Sequence, residues 1–417
     1  MLLTQRLLQS LRQTQLSAVL LGLLALTAGF GLAAQPGQDH PNWVTTWSAS
    51  PSTLPPNPYD EISELNNQTL RLIVHTSAGG EALRLRLSNT HGTKELIIGG
   101  VTVALSGAGS DVVTGSTRTV TFSGSESFAI SRGAVMISDP LNFAVPRTGN
   151  LSVSIYLPEA TGFVTAHRAA MQTNYISAAG NHLTGAFPVG EEITYSALLT
   201  AVDVVTARPT RTIVALGDSI TDGTGSTVSA NERWPDHLAR RLYADPAYQD
   251  YAVAIAAIAG NRVTTEASPI FGQNLQRRFE RDVLALSNVS HIILLEGIND
   301  IGMSSREGPL VKAQNIINGY RQIIARAHAR GIKIYASVLL PYEGAGYYSA
   351  EGNVVRQEVN NFIRNSGEFD AVIELDKPVA DPANPNRLRP DYTRDNLHPN
   401  DEGYAAMASV VPLELFK

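Results

Sequence analysis

Two hydrophobic patterns divide the chain. From residue 43 to about 206, apolar and polar residues alternate in short runs. Leu70, Leu72 and Val74 alternate with Arg71, Ile73 and His75, and Leu83, Leu85 and Leu87 alternate with Arg84, Arg86 and Ser88. Successive side chains of a strand point to opposite faces, so this period of two reads as strands with one face in a core. Further strands are expected at 95–105, 118–122, 134–137, 141–145 and 151–157, separated by Gly, Ser, Asn and Pro turns, with no helix in the region. Short strands at this spacing predict an all-β sandwich of jelly-roll type.

After a brief Pro-containing join at 207–210 the pattern changes to apolar runs alternating with longer helical stretches. Strands are expected at 213–216, 252–258, 291–295, 333–340 and 371–375. Helices are expected at 234–243, 273–286, 311–329 and 354–365, with a last one from Asp401. Strand–helix alternation builds a parallel sheet with helices on both faces and right-handed crossovers. The predicted fold is therefore a flavodoxin-like three-layer α/β/α domain at 210–417, preceded by the β-sandwich domain at 35–206.

Composition narrows the class. At 417 residues the chain is long enough for two domains, and 43% hydrophobic with 17% charged residues describes a globular protein. A net charge of −6 leaves no basic footprint, which argues against nucleic acid as a partner. Without cysteine there is no disulfide and no thiolate chemistry, so each domain must rely on its core. Residues 1–34 place Arg6 and Arg12 ahead of an uncharged run that closes on Gly31-Leu32-Ala33-Ala34, the layout of a secretory signal peptide. An uncleaved anchor is the alternative. The Gly, Ala and Thr content and the small-residue exit favour cleavage, after which no stable membrane insertion is expected.

The candidate chemistry lies at the carboxyl ends of the expected parallel strands, where open α/β sheets bind ligands. The first strand runs through Thr212-Ile213-Val214-Ala215-Leu216 into Gly217-Asp218-Ser219, placing Ser219 where a nucleophile would stand. The second leads to Gly260-Asn261 and the third to Gly297-Ile298-Asn299-Asp300. A Gly260 N–H and the Asn299 amide are donors of the type that stabilises an oxyanion, although each residue taken singly reads as a strand exit or a turn cap. Asp395-Asn396-Leu397-His398 precedes the last helix, and a spacing of three lets the carboxylate hold one imidazole nitrogen while the other faces Ser219. The rival reading of Asp395 and His398 as metal ligands lacks a third ligand motif nearby.

Taken in order, Gly-Asp-Ser-Ile, Ala-Gly-Asn, Gly-Ile-Asn-Asp and Asp-Asn-Leu-His resemble the four blocks of the SGNH hydrolase superfamily, the GDSL esterases and lipases. The family's Ser, Gly, Asn and His fall on Ser219, Gly260, Asn299 and His398, and its triad acid falls on Asp395. Ile220 stands where the family name has Leu, and the Gly-x-Ser-x-Gly elbow of α/β-hydrolases is absent. Trp-x-x-x-Trp at Trp43 and Trp47, with 70–77 and 83–89, resembles a secreted subgroup related to xylanolytic esterases.

These resemblances imply a cofactor-free serine esterase whose substrate is a small-molecule or polysaccharide ester, with short acyl groups preferred. Its oxyanion donors would be the Ser219 and Gly260 N–H groups and the Asn299 amide. A lipase or lysophospholipase remains open within the fold, and a non-catalytic carbohydrate-binding protein is the reading from another class. The short join further predicts that the β-domain docks rigidly and narrows one side of the Ser219 cleft, with His75 and His167 as candidates to approach it. Trp43 and Trp47, four apart on one face, are expected in the core rather than on a sugar platform.

Overall fold

The computed structural model describes residues 42–53, 64–266 and 268–417; the expected signal segment lies outside the described residues. In Gly80–Ser88 the alternation places Leu83, Leu85 and Leu87 wholly inside, with the intervening arginines on the other face. That strand pairs with Leu199–Val205 on one side and with Leu141–Val145 and Val135–Ile137 on the other, and Leu199–Val205 pairs in turn with Trp43–Ser48. A second antiparallel sheet runs in the order Val189–Ile193, Asn174–Ala179, Gln68–His75, Asn150–Leu157, Gly100–Leu105, Arg118–Val120. The sheets face each other across one core, with Leu70, Leu72, Val153 and Ile155 opposite Leu83, Leu85, Val202 and Val204. This is the all-β sandwich that the alternation predicts.

Two details differ from expectation. The strand expected at 95–105 is two, because Leu96–Ile98 pairs with Phe128–Ile130 whereas Gly100–Leu105 pairs with Asn150–Leu157; between them lies Gly99, where a Cβ would stand 2.5 Å from the Tyr156 ring. Beyond residue 160 lie strands that the period-two pattern does not reveal, including Thr165–His167, Asn174–Ala179 and Val189–Ile193. The first is only three residues long, and the last carries Gly190, Glu191 and Glu192 on an exposed edge. Trp43 lies partly exposed beneath the Arg84 guanidinium, 4.5 Å from its carbon, while Trp47 packs against the sandwich core.

The parallel sheet has the spatial order Tyr251–Ala257, Arg211–Gly217, Val289–Leu295, Lys333–Ser337, Ala371–Ile373, which in chain order is 2-1-3-4-5. That is the flavodoxin-like order, with a switch point beside the first strand, where Ser219 follows. Ile213, Val214, Ala215 and Leu216 are all buried, the signature of a strand covered on both faces. Trp234–Ala244 packs with Asp401–Ser409, and Ala313–His328 packs with Leu275–Phe279 and Ala350–Asn365. The helix expected at 273–286 is α-helical only to Phe279 and continues as a π turn over Glu280–Leu284. An unanticipated helix, Ile298–Glu307, starts directly at the third strand's exit. Among the described residues no helix is long and apolar enough to cross a membrane.

The described residues form one compact unit. The strand Tyr251–Ala257 is an edge of the parallel sheet, and an edge presents unpaired backbone groups. Side chains from the β-sandwich region satisfy them: Val253 N–H donates to Ser77 Oγ at 2.9 Å, Ser48 Oγ donates to the Ile255 carbonyl at 2.8 Å, and Arg147 donates to the Tyr251 carbonyl at 3.0 Å. Nearby, the buried Asp203 carboxylate accepts from Thr45 Oγ1 at 2.7 Å, Ser287 Oγ at 2.7 Å and Arg84 Nε at 2.9 Å, tying the two regions at a second point. Removing a buried partner strands the others. Asp203→Ala is therefore expected to lower stability by about 3 kcal/mol, measured as a shift in urea midpoint, and a midpoint equal to that of the parent protein would show the network contributes nothing.

Candidate active site

Ser219 opens a single helical turn, Ser219–Asp222, at the end of the first parallel strand. Asp218 caps that turn, its Oδ1 accepting from Ile220 N–H at 3.0 Å. The last strand residue, Gly217, has no room for a side chain, because a Cβ there would lie 2.4 Å from the Leu295 carbonyl oxygen. Gly223, in the left-handed region at φ 98°, ends the turn. The chain thus leaves the strand sharply and holds Ser219 at the floor of a cleft of about 340 Å³.

His398 comes from the loop before the last helix and meets Ser219 across 179 residues of sequence. Its Nε2 lies 2.8 Å from Ser219 Oγ, and its Nδ1 lies 2.7 Å from Asp395 Oδ2. The spacing of three works because Asn396 adopts φ 61°, folding the loop so that Leu397 N–H and His398 N–H both donate to Asp395 Oδ1, at 3.0 and 2.8 Å. Burial alone would raise the Asp395 carboxyl. The hydrogen bonds from the His398 ring and backbone and the charge of His398 outweigh burial, leaving Asp395 well below the usual carboxylate range. A hydroxyl, an imidazole and an ionised carboxylate in this chain can move a proton off the hydroxyl and back.

Gly260 and Asn299 stand on the same cleft. Gly260 has φ 80°, and a Cβ there would lie 2.2 Å from the Phe271 ring, so no larger residue fits. The N–H groups of Ser219 and Gly260 have no acceptor among the described residues. Asn299 donates one amide hydrogen to the Asn261 carbonyl at 3.1 Å and accepts from the Tyr347 hydroxyl at 3.2 Å, which fixes its amide orientation. Burial pushes the Tyr347 phenol well above its ordinary value, and the nearby carboxylates add to this, so it remains a donor. Four of the five residues singled out from the sequence, Ser219, Gly260, Asn299 and His398, therefore line one cleft, and Asp395 adjoins it through its bond to the His398 ring. His167 also lines it, whereas His75 does not; its Nδ1 lies 2.7 Å from Asn150 Oδ1.

Residues 215–406 match the model of the GDSL-like Lipase/Acylhydrolase family. The chain carries a GDSL-like acylhydrolase domain. That places it among carboxylic ester hydrolases. No curated protein matches the chain. Among solved structures, the acetyl xylan esterase AlAXEase is 23% identical over 48% of this chain and 96% of its own, with a TM-score of 0.39. Est24, a carbohydrate acetylesterase from Sinorhizobium meliloti, is 14% identical over 48% of this chain and 94% of its own, with a TM-score of 0.38. A family two carbohydrate esterase from Cellvibrio japonicus is 14% identical over 90% of this chain and 95% of its own, with a TM-score of 0.36.

Beneath the GDSL-domain cleft lies a buried charged layer that the sequence motifs do not announce. The fully buried Arg278 donates to the Gly217 carbonyl at 2.9 Å, the Ala256 carbonyl at 2.9 Å, Asn261 Oδ1 at 2.7 Å and Glu296 Oε2 at 3.0 Å. Asp300 adds a second tie, accepting from Val263 N–H at 2.7 Å and Thr264 N–H at 2.9 Å, so the loop after Gly260 is bound to the turn that carries Asn299. An arginine inside an expected amphipathic helix reads as a solvated face; only the tertiary packing shows otherwise. Burial pushes Asp218 up to about 7 and Glu296 up to about 8, with Arg278 pulling both down by less.

The Glu296 shift has a consequence for stability. Its folded form keeps a proton that the unfolded chain releases from about pH 4.5 upward, so the stabilisation is full below that pH and is lost as pH rises through about 8. Glu296→Gln keeps an acceptor for Arg278 and removes the titration. The fall of Tm between pH 5 and 8 is expected to be shallower in this variant than in the parent protein, by differential scanning fluorimetry across that range; identical slopes would rule the explanation out.

Proposed function

We propose that the chain is a secreted serine esterase that hydrolyses short-chain, acetyl-type esters, with a carbohydrate as the alcohol portion. The observation that carries the reading is the unbroken chain from Ser219 Oγ through His398 to Asp395, at 2.8 and 2.7 Å. In this mechanism Ser219 attacks the ester carbonyl while His398 Nε2 takes its proton, and Asp395 holds the Nδ1 proton and stabilises the imidazolium. The Ser219 N–H, Gly260 N–H and the second Asn299 amide hydrogen receive the oxyanion. His398 returns the proton to the leaving alcohol, then activates water to release the acid from the acyl-enzyme. The proposed organisation is a leader at 1–34, a β-domain at 35–206 and a hydrolase domain at 210–417.

The acyl preference rests on cleft size, since about 340 Å³ lies at the lower end of ligand pockets and is shared between acyl and alcohol portions. The carbohydrate assignment rests on the amino-terminal resemblance to xylanolytic esterases. A lipase-type preference is the second reading, favoured by the apolar side chains of Ile258, Ile270, Phe271, Met303 and Leu397 around the cleft. Comparing p-nitrophenyl acetate with the octanoate separates the two: higher kcat/KM on the octanoate overturns the short-chain preference.

Ser219→Ala and His398→Ala are each expected to reduce kcat on p-nitrophenyl acetate by about 10⁴ to 10⁶, with the double variant little worse than either. Asn299→Ala should lose roughly 10² to 10³ in kcat with a smaller change in KM. Turnover that persists in Ser219→Ala, or a parent protein that neither turns over the ester nor is labelled by a serine-directed organophosphonate, defeats the esterase reading and favours a binding protein.

A further inference from the structure

His167 belongs to the β-sandwich region, at the end of Thr165–His167, yet its ring sits at the GDSL-domain cleft. It is 7% exposed. Nδ1 lies 3.0 Å from the Ser50 carbonyl oxygen, and Nε2 lies 3.1 Å from the Ala169 carbonyl oxygen and 3.0 Å from Asp222 Oδ1. Both ring nitrogens therefore face only oxygen acceptors. A neutral imidazole has one N–H and would set a lone pair against one of them, so the site fits the doubly protonated ring. Burial works against that charge, but the Asp222 carboxylate and the two carbonyls outweigh it, and the net shift of His167 is upward.

Asp222 is the last residue of the turn that begins at Ser219, and it is 1% exposed. Its other oxygen, Oδ2, accepts from Ala259 N–H at 3.2 Å. Ala259 immediately precedes Gly260. One carboxylate thus joins the nucleophile turn to the loop that presents the Gly260 N–H, and His167 is the cation 3.0 Å from it. The nearby Arg233 is committed to Asp236, at 2.7 and 3.0 Å.

We propose that His167 is a positioning residue of the esterase: it fixes the Asp222 carboxylate, which holds the Ala259–Gly260 peptide so that the Gly260 N–H points at the developing oxyanion. The β-sandwich region then contributes to transition-state binding without touching the reacting atoms. This rests on the esterase reading above. Removing the ring leaves a buried carboxylate without its counter-charge. Asp222 must then turn toward water, and the Ala259 N–H loses its fixed acceptor. A donor displaced by a fraction of an ångström weakens the transition state far more than the ground state.

The test is steady-state kinetics of the full chain on p-nitrophenyl acetate. His167→Ala is expected to lower kcat by about 10- to 100-fold with KM changed less than about threefold. His167→Leu, which fills the volume without a donor, should show the same loss and serves if the alanine variant does not fold. His167→Gln, which restores a polar neighbour but not the counter-charge, should recover only a small part of it. The Ki of phenylboronic acid, whose tetrahedral adduct uses the oxyanion donors, should rise in step with the fall in kcat/KM, a readout that a purely structural contact would not move. His167→Ala/Asp222→Ala should be no slower than the slower single variant. The proposal is overturned by kcat within twofold of the parent protein in a folded Ala or Leu variant, by a loss confined to KM, or by additive losses in the double variant. An inactive parent protein in the same assay would instead overturn the esterase reading.

Discussion

Arg278 is the constraint on which the arrangement of the cleft depends. Parallel strands end in carbonyl groups that no longer have a partner strand, and three such ends must be held together if Ser219, Gly260 and Asn299 are to face one point. A single guanidinium, fully buried, bonds to the Gly217 and Ala256 carbonyls, to the Asn261 side chain and to Glu296. Its planar fork of five N–H donors suits this role, whereas a lysine would offer one point charge and three donors on a flexible stem. The cost of burying the charge is offset by the Asp282 carboxylate at 3.5 Å, while the protonated Glu296 accepts a hydrogen bond at 3.0 Å. The π turn at Glu280–Leu284 carries Asp282 on that inner side, so the irregularity in the helix and the clamp belong to one device.

The candidate site residues were legible in the amino-acid sequence because most sit within a few residues of a strand end, and strand ends are marked by an abrupt change from apolar to small or polar residues. Ser219, Gly260 and Asn299 follow such changes, and Asp395 with His398 is a local pair. The layers were legible for a similar reason, since a period of two and a period of 3.6 are local signals. What holds those groups in place was not. Arg278 is indistinguishable from a solvated helix arginine until its partners at Gly217 and Glu296 are brought near. Tyr347 reaches Asn299 across 48 residues and His167 meets Asp222 across 55, so neither has a motif of its own. Side chains from the β-sandwich region cap the parallel sheet's edge, and of the two histidines expected to approach the cleft His167 lines it and His75 does not.

That capping is made of side chains and not of another strand. Ser77, Ser48 and Arg147 satisfy Val253, Ile255 and Tyr251 one group at a time, leaving the edge closed to further strands while the two sheet systems keep separate hydrogen-bond ladders. The parallel sheet needs no sixth strand, and the sandwich loses none of its own pairing.

The sequence distances in this interface carry a kinetic meaning. Ser77 to Val253, Ser48 to Ile255 and Thr45 to Ser287 span 176, 207 and 242 residues, so the contacts that join the two regions have very high contact order. Closing loops of that size costs entropy that grows with their length, which favours forming these contacts after the local ones. During synthesis the β-sandwich leaves the ribosome first and can fold while the parallel sheet is still incomplete. The edge strand then emerges beside a surface already furnished with its hydroxyl and guanidinium partners, which shortens the time an open parallel edge is available to other chains.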